Sequence, residues 1–181
     1  HFVAHADASY THNDNLRTGG YILSQPLRDQ AALSADPAIQ ALANLKGDLP
    51  NSDGRTFEAA GSLAWIDGDS NAGFSVSRHT ANYGVPIRYS LVPGVEAEAP
   101  TLTPRQTRFD ARAEIPIASG FLSQVRARAG YSKYRHNEVE DTGEVGSRFF
   151  SNGGEGRLEL VQRDRAGWEG TTGVQYLNRD V

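Results

Sequence analysis

The chain has 181 residues, 18 basic against 22 acidic for a net charge of −4, and no cysteine. Without a basic excess it does not read as a nucleic-acid binder, and without cysteine it has no disulfide framework and no thiolate metal site. Mean hydropathy is −0.51 and no apolar run nears the roughly 20 residues of a membrane helix, but a barrel, whose strands are half apolar, remains open.

The first residue is His1 and there is no methionine, which predicts an internal piece of a longer protein. The first predicted strand, 2–11, holds Phe2 and Tyr10 in one phase. The connection 12–54 is long and carries one predicted helix over 37–46, with Asp36 as N-cap, Pro37 at N1, Gly47 as C-cap, and Ile39, Leu42 and Leu45 at helical spacing. This helix would lie on an outer surface or fold over a barrel mouth. Strand 55–67 aligns Phe57, Ala59, Gly61, Leu63 and Trp65 on one face. The connection 68–71 is a tight turn, and strand 72–82 follows. There Phe74 and Val76 fit the apolar phase but Arg78 shares it, which predicts that the strand leaves the apolar solvent or shifts at a bulge.

A second long connection, 83–105, leads to strand 106–117. Phe109, Ala111, Ala113 and Ile115 face one way there, and Arg108, Asp110, Arg112 and Glu114 the other. After the turn 118–120, strand 121–134 sets Phe121, Val125, Ala127, Ala129 and Tyr131 against Gln124, Arg126, Arg128 and Ser132. A third long connection, 135–153, precedes strand 154–163, turn 164–167 and strand 168–178, the last with Trp168 and Tyr176.

These elements predict an all-β fold: an antiparallel, up-and-down transmembrane β-barrel, incomplete at about seven strands. The apolar faces are modest in the middle and aromatic at the ends, and rings eight to ten residues apart on a tilted strand span roughly 20–25 Å. Short and long connections alternate, as when short turns are periplasmic and long loops lie outside. Seven strands leave two open edges, which lipid does not tolerate, so the piece belongs to something larger. The predicted lumen-facing charges are Arg108, Asp110, Arg112, Glu114, Arg126, Arg128, Glu155, Arg157, Glu159 and Glu169. They either dock a plug or line a substrate path, or they neutralise one another along a wet wall.

No nucleophile elbow, phosphate loop or paired-carboxylate motif occurs, which predicts no enzyme and no catalytic cofactor. His12 with Asp14, and His136 with Glu138, lie at predicted outer strand ends and are the candidate metal ligands. His79 and Tyr83, with Glu96 and Glu98 from the following loop, are the candidate substrate-binding residues. The competing reading of each is a solvated rim residue.

Several segments together resemble the barrel domain of TonB-dependent outer-membrane receptors, in particular the zinc-uptake branch. They are Leu49-Pro50-Asn51-Ser52; His79 through Tyr83-Gly84-Val85-Pro86; Arg105 through Glu114; Tyr131 through Tyr134-Arg135-His136-Asn137-Glu138; Phe149-Phe150-Ser151-Asn152; Glu155 through Leu160; and Gly173-Val174-Gln175-Tyr176. Order and spacing match from about residue 49 onward. The resemblance implies a barrel of about 22 strands with an N-terminal plug domain that is absent from these residues. It implies an importer in the outer membrane of a Gram-negative bacterium, with outer-membrane lipid around it and an energy-coupling complex acting through the plug. The cargo would be a scarce metal ion such as zinc, or a metal chelate. The sequence departs from that branch in loop 87–104, which has no His or Cys and offers Glu96 and Glu98. A passive porin-like channel and a soluble all-β binding module are the alternatives.

Overall fold

Strict alternation of side-chain character over long stretches commits the backbone to strands, and tight turns between them make neighbours in sequence neighbours in space. The computed structural model describes residues 1–86 and 98–181. The chain is all-β, with one large antiparallel sheet. Its strands are β1 (Phe2–Asn13), β4 (Gly54–Asp67), β5 (Ser70–Gly84), β6 (Thr101–Leu102), β7 (Arg105–Pro116), β8 (Leu122–Val139), β9 (Val145–Gln162) and β10 (Thr171–Asp180). Successive strands pair in a meander, with β6 and β7 both lying between β5 and β8, and β1 and β10 are the edges, each with a single neighbour. The short β6 and the long β7 keep one register against both β5 and β8, with Tyr83 opposite Leu102 and Thr80 opposite Arg105. They are one strand line interrupted at Pro104, which has no N–H to give to the ladder.

The turns follow their residues. Gly68, at φ +56°, is the first of two residues joining Asp67 to Ser70, where a hairpin needs a left-handed position. At the other tight turn Ala166 and Gly167 both have positive φ, and Arg165 and Trp168 exchange both backbone hydrogen bonds at 3.2 Å. That closure holds Trp168 in the turn, so β10 starts at Thr171 and not at the predicted 168, and Glu169 lies before the strand.

Three other expectations are corrected. The predicted loop 135–153 is mostly strand, because β8 runs to Val139, β9 starts at Val145, and residues 140–144 turn between them. Neither face is consistently apolar here, since β8 sets Arg135 and His136 on opposite faces and β9 sets Phe150 and Phe149 opposite them, so no one-sided alternation marked the extension, yet the backbone ladder continues without it. No bulge occurs at Arg78, since β5 stays in one register with β4 and β7 throughout. The helix over 37–46 is shorter, Pro37–Leu42, and its C-cap is Ala43. Gly47, at φ +84°, instead sits inside a small strand.

That helix, α2, belongs to a compact excursion between β1 and β4. It comprises β2 (Arg17–Tyr21), α1 (Gln25–Ala32), α2 and β3 (Lys46–Asp48), with β2 and β3 paired around an irregular register. Helix α1 escaped the sequence reading because its N-cap, Ser24, makes no side-chain cap and its apolar spacing is short. Among the described residues the buried core is here, in Ala31, Ile39, Leu42 and Ala43.

The large sheet has no such core. Register places Phe2, Ala4, Ala6, Ala8 and Tyr10 on the same face as Trp65, Leu63, Gly61, Ala59 and Phe57. The same face continues through Phe74 and Val76, Ala111 and Phe109, Ala129 and Tyr131, Leu158, Val174 and Tyr176. Phe2 is 71% exposed and Tyr176 68%. Trp65, Phe121, Trp168 and Tyr176 are not gathered in an interior. Where β9 offers only glycine, a neighbouring ring covers it: Tyr131 lies opposite Gly154.

The aromatic positions run obliquely across this face. The upper line passes from Tyr10 and Phe57 to Phe109 and Tyr131 and on to Tyr176, whose row across the ladder meets Leu63 rather than Phe57. Trp65 shares a row with Ala127 and Val174, while Phe121, just before β8, and Trp168, in the turn before β10, lie further toward the turns. The six-residue slip of the upper line between β4 and β10 corresponds to strands tilted about 40° from the perpendicular to that line, from the rise per residue and the strand spacing. Between the lines, from Ala4 to Val174, the face carries no charged side chain.

Asp36 accepts a hydrogen bond from the amide of Ala38 at 2.8 Å, the capping that starts α2. Asp36→Ala is expected to cost about 1 kcal/mol locally. Faster hydrogen exchange at residues 38–43, with the β7–β8 ladder unchanged, is the expected reading.

Candidate functional site

The opposite face of the sheet is polar and hollowed. Side chains from β4 to β10, between Ser62 and Gln175, line a hollow of about 630 Å3. A second hollow of about 350 Å3 adjoins it toward the outer end and shares Arg108 and Glu155. The lower hollow is a patterned charge array. Arg112, Arg128 and Arg157 fall in one row on three successive strands, an arrangement that would repel by itself. Acidic rows flank it: Glu114 and Glu159 on either side of Arg126, and Asp110 with Glu155 across Gly130. Arg108 makes a forked contact to Asp110 at 2.8–3.0 Å, and Arg157 contacts Glu159. Nine of the ten predicted lumen charges are thus on this face, and Glu169 is not.

Toward the outer end the polar face changes from charge to hydrogen bonding. One row across the ladder reads Ser9, Glu58, His79, Gln106, Tyr134 and Ser151. His79 Nδ1 lies 2.8 Å from Glu58 Oε1, Gln106 donates to Ser132 at 2.9 Å, and the Tyr134 hydroxyl lies 3.0 Å from His136 Nδ1. His136 also stacks on Phe149 with ring centres 4.4 Å apart. Further along on the same face as each histidine are Tyr83, four residues beyond His79 near the end of β5, and Glu138, two residues beyond His136. Sequence reasoning named His79 and His136 but missed Glu58, Tyr134 and Phe149. Cross-strand register, which needs the turn lengths, is the signal that finds them.

The candidate residues do not all converge. His79, Tyr83, His136 and Glu138 share the polar face near its outer end. His12 pairs with Asp14 at 3.3 Å, but register sets His12 on the apolar face, opposite Arg55 and four strands from His136. The two proposed metal pairs are therefore separate, and among the described residues no three His, Asp or Glu groups gather as a ligand set. Glu98 is exposed just before β6, and Glu96 lies outside the described residues.

Two of the sequence segments singled out above meet at this rim. Asn51, in the left-handed region at φ 55°, donates from its side-chain amide to the carbonyls of Val85, Ala99 and Pro100 at 2.7–3.1 Å. A side chain at Gly84 would collide with Asn51, so glycine is required for that approach. Ser52 accepts from the Leu16 amide, and Asn15 accepts from the amides of Ser52 and Asp53. One asparagine thus clamps the excursion 17–48 to the ends of β5 and β6.

Compared with known proteins, the chain matches no protein-family model and no curated sequence.

Asn51→Ala removes three side-chain hydrogen bonds and leaves alanine in a left-handed conformation, whereas Asn51→Gly removes the bonds alone. Both are expected to speed exchange of the Gly84 and Val85 amides by about tenfold or more, with alanine the worse. Equal protection in wild type and both variants would contradict the clamp.

Within the excursion, Lys46 and Arg28 flank the ring of Tyr21, at 4.2 and 3.3 Å from its centre. A hydrogen bond to Lys46, and then the charges of Lys46 and Arg28, hold the Tyr21 phenol below its ordinary pKa. The folded pKa is the lower one, so this contact adds stability above the unfolded value and loses it as pH falls through the folded value. An ultraviolet titration of wild type minus Tyr21→Phe is expected to show phenolate at lower pH than a free tyrosine. Lys46→Met is expected to move that difference back up.

Proposed function

We propose that this chain is part of the wall of a TonB-dependent outer-membrane receptor, an energy-coupled importer of a scarce nutrient, with a metal ion or metal chelate as cargo. The observation that carries the membrane reading is the oblique pair of aromatic lines. Water gives no reason for a sheet to keep an uncharged, exposed band bounded by rings, and the incline of about 40° is the tilt at which strands cross an outer membrane. The band then faces hydrocarbon, the rings sit at its two interfaces, and the array of Arg112, Arg128 and Arg157 with its acids faces a wet lumen. The edges β1 and β10 pair with further strands, since open backbone is not tolerated in lipid.

The importer reading rests on the family resemblance together with the mouth. The row of Glu58, His79, Gln106 and Tyr134, and His136 beside it, offers imidazole, carboxylate and phenol groups at the outer end of the lumen. These suit weak first capture of a metal or a polar chelate before hand-over to a plug. The charged rows below suit docking of that plug. No step in this scheme breaks a covalent bond.

The test uses the full-length protein. It is expected in the outer membrane with heat-modifiable migration, and its uptake of cargo is expected to stop when the energy-coupling complex is removed. Ala111→Arg, in the middle of the apolar band, is expected to cost about 2–4 kcal/mol and to abolish insertion. Ser75→Arg, on the polar face one strand away, is expected to insert normally. Equal tolerance of the two would remove the lipid from the account, and uptake that persists without energy coupling would favour a passive channel.

A further inference from the structure

The outer end of the apolar face carries a second pattern. Above the aromatic line the face turns basic on β5, β7 and β8, while β9 and β10 set Phe150 and Asp180 there. Arg78 on β5, Arg105 on β7, and Lys133 and Arg135 on β8 all point to the apolar side by register and are exposed. Arg78, Thr107 and Lys133 share one row, and Arg105 stands directly opposite Arg135 in the next. The four Cα positions fall within about 10 Å across the strands and 7 Å along them. Among the described residues none of the four lies within ion-pair distance of a carboxylate; the side-chain partner of Arg78 is the Thr107 hydroxyl.

Placing Arg105 against Arg135 is unfavourable in isolation, because like charges directly opposite on a ladder repel. The polar face of the same strands answers its arginines with acids, as Arg108 with Asp110. The outer apolar face does not. Directly beneath the cations are Phe109 and Tyr131, the rings that mark the interface. A cation cluster immediately outside an interfacial ring line meets the headgroups of whatever lipid lies there. Arginine forks match phosphate oxygens two at a time, and Lys133 adds a point charge.

We infer that Arg78, Arg105, Lys133 and Arg135 form a docking surface for the phosphate groups of a phosphorylated lipid in the outer leaflet, with acyl chains running down past Phe109 and Tyr131. This rests on the membrane-spanning reading above and adds a specific lipid chemistry to it. The bound phosphates offset the Arg105–Arg135 repulsion, which explains why these strands keep two opposed guanidiniums where a Thr or Gln would serve the ladder.

The experiment is native mass spectrometry on detergent-extracted, delipidated full-length protein. The probes are bis-phosphorylated lipid A, the same lipid with its phosphates removed, and inorganic phosphate. Wild type is expected to bind the phosphorylated lipid at least tenfold more tightly than the dephosphorylated one, and R105Q/K133Q/R135Q to lose most of that preference. R105K/R135K is expected to keep a good part of it. Heat-modifiable migration of each variant reports separately on barrel insertion. A triple variant that inserts and still prefers the phosphorylated lipid overturns the docking surface and leaves the barrel standing. Inorganic phosphate competing as well as the lipid overturns the lipid source. Wild type that never enters the membrane overturns both readings.

Discussion

The structure depends on one constraint: a period-two backbone that sets apolar side chains on one face and polar ones on the other, with no second layer folded onto either among the described residues. In a sandwich or a helix-covered sheet, side chains from a second layer bury the apolar face and supply most of the stability. Here the second layer is missing, and among the described residues the buried apolar positions belong to the small excursion between β1 and β4. The ladder holds the strands together, but it does not explain why eleven or more rings and aliphatic side chains stand on one side. On the proposed membrane reading an apolar solvent on that side makes the arrangement favourable, at about 1.5–3 kcal/mol for each large side chain removed from water.

Much of this was legible before any coordinates. The seven long strand lines follow from alternation, and their order from turns rich in Gly, Asp and Asn. The misses have physical causes. The outer halves of β8 and β9 mix polar residues and rings on both sides, Phe149 on one face and Phe150 on the other, so periodicity of hydrophobicity falls silent while backbone hydrogen bonding continues. Trp168 looked like a strand start because it is aromatic, but the positive φ of Ala166 and Gly167 closes the chain on itself first. Helix α1 lacks a capping side chain, and Gly47 resembled a helix stop although its left-handed backbone serves a strand irregularity.

The site was less legible than the fold. Which charges share one face of the sheet follows from parity alone, and nine of the ten grouped in this way do share the polar face. Which of them meet depends on register, a quantity set by the turns and bulges between the strands. His79 could be named from sequence, but Glu58, its partner at 2.8 Å, could not. His12 could be named too, yet one step of parity puts it on the other side of the sheet from His136. The Asn51 clamp joins two segments that had been noticed separately, and their meeting at Gly84 needed the close approach to be seen.

The two edge strands carry a consequence of their own. β1 and β10 each have one neighbour, and both display rings beside a column of backbone groups with no mate. If the proposed barrel is the closed state, then between synthesis and closure the handiest match for either seam is another copy of the same chain, since like seams zip as readily as the correct ones. Survival then becomes a matter of timing: whichever partner arrives first decides between a sealed ring and a precipitate.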